Sequence, residues 1–108
     1  NAIAQAAALA GLRDADHQRE TRRITSEGRA LLESAFAERG VEFVPSSANF
    51  VLARVGDGDA VFKALLGRGV IVRAMRGYQL PEWIRVSVGT AEQNRRFIEE
   101  FDAVREHV

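Results

Sequence analysis

Arg85 stands in the alternating run Trp83-Ile-Arg-Val-Ser-Val88, between an isoleucine and a valine. A guanidinium there is either solvated on the open face of a sheet or an anion clamp, because its planar fork of donors matches a carboxylate or a phosphate. Arg73 closes a second apolar run, Val70-Ile-Val-Arg73, where the chain turns into a loop. It reads either as the polar end of a strand or as a second guanidinium converging with Arg85 on one anion. Asn49 interrupts the apolar run Ala48-Asn-Phe-Val-Leu-Ala53. A buried amide must find hydrogen-bond partners, and the plain reading is that Asn49 satisfies loop backbone. Lys63 is the only lysine beside 14 arginines, so Schiff-base chemistry within this chain would have to use it. Its place between Phe62 and Ala64 reads instead as the outward face of a helix.

The elements that must position these side chains follow from period and punctuation. Residues 1–12 are alanine-rich and apolar almost all round, which predicts a buried helix contacted through Ile3, Leu9 and Leu12. Asp14 is expected to cap a second helix reaching about residue 39, with Ile24, Ala30, Leu31, Ala35 and Phe36 as its apolar stripe. Gly40 fits the left-handed glycine that ends such a helix. Residues 41–44 then read as a short strand stopped by Pro45, and residues 48–55 as a second, more apolar strand. Asp57 or Asp59 caps a helix over 60–68 that buries Val61, Phe62, Leu65 and Leu66 and ends at Gly69. Residues 70–73 form a third strand, 74–82 a loop, and 83–88 a fourth strand. In that fourth strand Ile84, Val86 and Val88 share one face, while Trp83, Arg85 and Ser87 share the other. Thr90 and Gln93 spell a capping box for a last helix with Phe97, Ile98, Phe101 and Val104 on one side. The expected fold is α+β: a small, mostly antiparallel sheet with helices packed on one face, preceded by two helices. The division is a helical lead-in over 1–40 and a small α+β domain over 41–108.

Composition excludes several classes. The 108 residues carry 15 basic and 15 acidic side chains, so the net charge is zero and the basic excess of a nucleic-acid binder is absent. No apolar run approaches the ~20 residues that span a bilayer. With no cysteine there are no disulfides, thiolate zinc sites or cysteine nucleophiles, which fits a reducing cytosol. His17 and His107 lie at opposite ends, so neither a metal site nor a catalytic triad is expected. The chain starts at Asn1 rather than methionine and is expected to be a piece of a longer protein. The turns Gly67-Arg-Gly69 and Gly56-Asp-Gly58 match neither dinucleotide nor P-loop spacing.

The runs Gly69-Val-Ile-Val-Arg73, Gly77-Tyr-Gln-Leu-Pro81 and Ile84-Arg-Val-Ser-Val-Gly-Thr-Ala-Glu-Gln-Asn94 strongly resemble the C-terminal part of histidinol-phosphate aminotransferases. So do Pro45-Ser-Ser-Ala-Asn-Phe-Val-Leu52 and the opening Asn1-Ala-Ile-Ala-Gln-Ala-Ala-Ala8, so the resemblance covers essentially the whole chain. The Arg-Val-Ser-Val-Gly-Thr segment is shared more loosely by many fold-type I pyridoxal-phosphate (PLP) aminotransferases. The Gly-Tyr-x-Leu-Pro loop after Val-Arg narrows the match.

The resemblance implies a small domain whose PLP-binding partner domain, with its Schiff-base lysine, lies upstream. Lys63 does not match that lysine, so this chain by itself is expected to hold no catalytic or cofactor-binding residue. Arg85 matches the arginine that binds the acidic group of the substrates, the carboxylate of glutamate or 2-oxoglutarate and the phosphate of histidinol phosphate. Arg73 matches a second arginine associated with the phosphate, and Asn49 matches the family's Ala-Asn-Phe segment. The implied setting is a cytoplasmic homodimer acting in histidine biosynthesis. Aromatic-amino-acid aminotransferases and threonine-phosphate decarboxylases share much of the pattern. The element order from Ala48 onward also permits a freestanding ferredoxin-like module that binds a small regulatory molecule.

Overall fold

The computed structural model describes the backbone of residues 2–106 and the side chains of residues 15–106. Helix α1 (Ala2–Glu38) is one continuous helix of 37 residues where two were expected. Asp14, the expected cap of the second, lies inside it. A cap preference is worth only about 1 kcal/mol. No proline interrupts Leu12-Arg-Asp14, and extending a helix adds a hydrogen bond per residue without a new nucleation step. The expected contacts of Ile3, Leu9 and Leu12 lie outside the described residues, as does His107.

Among the described residues, the buried stripe of α1 is Gly28, Leu32, Ala35 and Phe36, the i, i+4, i+7, i+8 spacing of one helix face. Of the expected stripe only Ala35 and Phe36 belong to it. Ile24 and Leu31 are 42% and 38% exposed, because the helix rolls to centre Leu32 on the core. Gly40, at φ 68°, then ends the helix. Its N–H donates to the Ala37 carbonyl and that of Val41 to the Phe36 carbonyl, the paired bonds of a Schellman motif.

Four strands follow: β1 (Phe43–Val44), β2 (Phe50–Arg54), β3 (Arg73–Ala74) and β4 (Trp83–Ser87). They form one antiparallel sheet in the order β1-β2-β4-β3. Helices α2 (Gly58–Gly67) and α3 (Ala91–Arg105) complete the α+β unit. Asp57, rather than Asp59, caps α2 by accepting from the Ala60 N–H at 3.1 Å. Asp59 instead pairs with Arg76 at 3.1 Å. Thr90 and Gln93 close the capping box of α3.

The third strand is shorter than its apolar run suggested, because Val70 is used elsewhere. Its N–H joins the Schellman motif that ends α2, donating to the Leu65 carbonyl at 2.9 Å. Pairing with β4 therefore begins only at Arg73. Leu66, expected in the core, is 48% exposed.

The core lies on one side of the sheet. Val51, Ala53, Ile84 and Val86 meet Leu32 and Phe36 of α1, Val61 and Leu65 of α2, and Phe97, Phe101 and Val104 of α3. Phe36 is its hub, with ring centroids 6.0 and 5.7 Å from Phe97 and Phe101, both edge-on. Edge-to-face packing is the geometry aromatic quadrupoles favour.

Candidate functional site

The alternation of β2 and β4 sends a second set of side chains to the face that the three helices leave open. Leu52 pairs with Arg85, Phe50 with Ser87 and Arg54 with Trp83. Arg85 is paired on its other side with Arg73. One row across the sheet therefore reads Val44, Leu52, Arg85, Arg73.

The two arginines of that row are direct cross-strand partners, whose Cβ atoms in any antiparallel pair stand ~5 Å apart. Like charges in that relation are destabilising unless something neutralises them. Among the described residues, neither makes an ion pair. Arg54, on the same face, shows the contrast. It is bridged to Glu82 at 2.7 Å and Glu42 at 3.3 Å, and hydrogen bonding to Glu82 foremost holds its pKa above the ordinary arginine value. The open face thus carries positive charge that is cancelled at Arg54 and left uncancelled at Arg73 and Arg85.

Arg85 is half-buried and its guanidinium carbon lies 5.1 Å from the centroid of the Phe50 ring. The other half-buried arginines among the described residues are both pinned. Arg29 donates to the Ala48 carbonyl, and Arg39 makes a two-toothed bond to Asp102. Arg73 is exposed at the sheet edge. Such a pair, one guanidinium fixed in depth and one free at the rim, suits a carboxylate or a dianionic phosphate.

Asn49 is not drawn into this pair. It is exposed, one residue before β2, and its backbone carbonyl accepts from the Val88 N–H at 2.8 Å. Lys63 is exposed on α2, in the helical layer behind the sheet. A groove of about 450 Å³ opens between the stretch 69–72, the end of β4 and α3. Neither Arg73 nor Arg85 lines it, and its own arginine, Arg96, is engaged with the Arg68 carbonyl.

Two further residues shape the site, and each carries a signal in the sequence. Phe50 falls on the Arg85 face by the same alternation that places Leu52 and Arg54 there. Asn94 lies three residues before Phe97 on the apolar stripe of α3 and is only 2% exposed. Its side chain accepts from the Gly89 N–H at 2.8 Å and donates to the Gly89 carbonyl at 3.1 Å. Those two hydrogen bonds fix the chain as it leaves β4, four residues beyond Arg85.

The sequence model of the family described as aminotransferase class I and II matches residues 1–101. This chain belongs to that family. Among curated relatives, the histidinol-phosphate aminotransferase of Akkermansia muciniphila is 54% identical over 97 residues, covering 90% of this chain and 27% of the relative. That of Symbiobacterium thermophilum is 52% identical, covering 95% and 29%. The chain thus spans less than a third of the length of those relatives. Among solved structures, histidinol-phosphate aminotransferase from Sinorhizobium meliloti in complex with pyridoxal 5'-phosphate shares the fold at a TM-score of 0.79. At 24% identity it covers 94% of this chain and 29% of that one.

Proposed function

We propose that this chain is the substrate-anchoring small domain of a PLP-dependent aminotransferase. The reaction moves an amino group between histidinol phosphate and 2-oxoglutarate, giving imidazole acetol phosphate and glutamate in histidine biosynthesis. The observation that carries this reading is the uncancelled pair Arg73 and Arg85 on the open sheet face. Every substrate of that reaction presents a carboxylate or a phosphate, and a pair of guanidinium groups serves either. The names of the relatives support the choice of histidinol phosphate.

The residues of this chain do not themselves suit the cofactor. Lys63, its only lysine, projects from the helical layer, and the sheet separates that layer from Arg85. In this proposal PLP and its lysine belong to the remainder of a longer protein, and this chain alone is inactive. Residues 1–40 serve as a helical lead-in and residues 41–108 as the domain that carries the anion site. Arg85 binds and orients the acidic group common to donor and acceptor. Arg73, at the rim, adds the second guanidinium for the phosphate, and Asn49 enters as a substrate contact only through its match to the family's Ala-Asn-Phe segment. The full-length protein works as a cytoplasmic homodimer on small molecules.

The test is a panel of donors on the full-length enzyme, read as single-turnover rates of the first half-reaction. Histidinol phosphate should exceed aromatic amino acids in kcat/KM by at least tenfold. Equal rates across the panel would remove the substrate assignment. Decarboxylation of threonine phosphate, in place of transamination, would remove the reaction.

A further inference from the structure

We infer that Phe50 is a positioning residue for the Arg85 guanidinium, holding it against the sheet with its donors left free for a substrate anion. The inference rests on the reading of Arg85 as the anion anchor.

An arginine can be held still in two ways with opposite chemical results. A carboxylate holds it by occupying the fork of N–H donors, as Asp102 does to Arg39. An aromatic face holds it through the ring quadrupole and leaves the in-plane N–H edges open. Arg85 is held in the second way. Its guanidinium carbon is 5.1 Å from the Phe50 centroid, and among the described residues it has no hydrogen-bond partner.

The register explains why the guanidinium goes to Phe50. Phe50 pairs with Ser87, so it lies diagonally across from Arg85 on the β2 side of β4. Arg73 pairs with Arg85 on the β3 side. Repulsion from Arg73 and attraction to the Phe50 ring therefore act in the same direction. Leu52, directly opposite Arg85, supplies an apolar floor and no competing acceptor. A side chain that would otherwise sample many rotamers is narrowed before the substrate arrives, and preorganisation of that kind appears as affinity.

The experiment is a double-mutant cycle on the full-length holoenzyme, read as KM for 2-oxoglutarate. Phe50→Leu keeps apolar bulk and removes the ring face; KM should rise roughly three- to tenfold, the range expected when a partly desolvated cation–ring contact is lost. Phe50→Tyr keeps the face and should restore KM to within about twofold. In the Arg85→Ala background, Phe50→Leu should add nothing, since no guanidinium remains to be placed. A wild-type KM for Phe50→Leu would overturn the inference. So would an equal loss with and without Arg85, which would mark Phe50 as packing alone. If Phe50→Leu does not fold, Phe50→Met takes its place in the cycle with the same expected pattern. Were Arg85→Ala itself to leave KM untouched, the anchor assignment would fall with it. A strong Arg85→Ala effect beside a silent Phe50→Leu would instead remove only the role of Phe50.

Discussion

Arg73 and Arg85 face one another directly across the β3–β4 ladder, and among the described residues no carboxylate answers either. In the full-length enzyme, Arg85→Ala should lower kcat/KM for glutamate and for histidinol phosphate by roughly two orders of magnitude, the loss expected when one partner of a hydrogen-bonded charge pair is removed. Arg85→Lys should recover only part, because a point charge does not reproduce the planar fork. Arg73→Ala should cost histidinol phosphate more than glutamate, since its guanidinium stands at the rim where a dianion needs a second partner. Half-reaction rates by stopped flow on the three variants check this, and near wild-type efficiency for Arg85→Ala would make Arg85 a surface strand residue.

The Arg39–Asp102 pair ties the end of α1 to α3 and makes folding stability depend on pH. The Arg39 guanidinium, hydrogen-bonded at 2.5 and 2.8 Å, holds the Asp102 carboxyl below its ordinary value against the opposing effect of burial. A carboxylate whose pKa is lowered by folding contributes stability above its unfolded pKa of ~4 and loses it as pH falls through the lower folded value. Asp102 is 45% exposed, so solvent screening limits the pair to about 0.5–1 kcal/mol. Asp102→Asn should lower stability by that amount at pH 7 and should narrow the gap to wild type on acidification. Urea unfolding at a series of pH values measures it; a gap that stays constant as pH falls well below the unfolded pKa of ~4 would contradict the linkage.

Gly28→Ala tests a tight contact of α1 with the start of α3. In an isolated helix this change gains roughly 0.5–1 kcal/mol from helix propensity. Here the added Cβ would stand 2.6 Å from the Asn94 side-chain nitrogen and 2.7 Å from a Val88 methyl. Overpacking of that kind costs about 1–3 kcal/mol, so destabilisation should win. The displaced atom belongs to the amide that clamps Gly89, so exchange protection of the Gly89 N–H should fall too. A rise in melting temperature would show that α1 can move away freely.

Thr90→Ala should remove half of the capping box, because the Thr90 hydroxyl accepts from the Gln93 N–H at 3.1 Å. The expected loss is about 1 kcal/mol, with Thr90→Ser or Thr90→Asp close to wild type. Thermal unfolding of the three variants distinguishes a cap from a general intolerance at that position. Equal losses in all three would assign the effect to packing.

The parts of the fold legible in the sequence are those decided by a few neighbouring residues. Gly40 and Gly69 end their helices in left-handed geometry because a glycine carries no Cβ to clash there. Asp57 and Thr90 cap theirs by bonds that span three residues. The alternation of Trp83–Ser87 assigned Ile84 and Val86 to the core and Arg85 to the other face, since side chains of a strand switch sides at each residue.

What required the tertiary structure is everything that depends on a partner distant in sequence. Period alone does not set which strand lies beside which, so nothing local specified that Arg85 pairs with Arg73 on one side and Leu52 on the other. Without that register the Phe50 ring could not be assigned to the guanidinium. The shortening of β3 has the same origin: Val70 reads as strand, yet its N–H is claimed by the end of α2. Along α1 the apolar residues Ile24, Leu31, Leu32, Ala35 and Phe36 fill more of the circumference than the sheet can cover. Local sequence made them a helix. Only the packing of Leu32 and Phe36 against the sheet and α3 decided which were buried, because burial is settled by the surface that meets the helix and not by the helix itself.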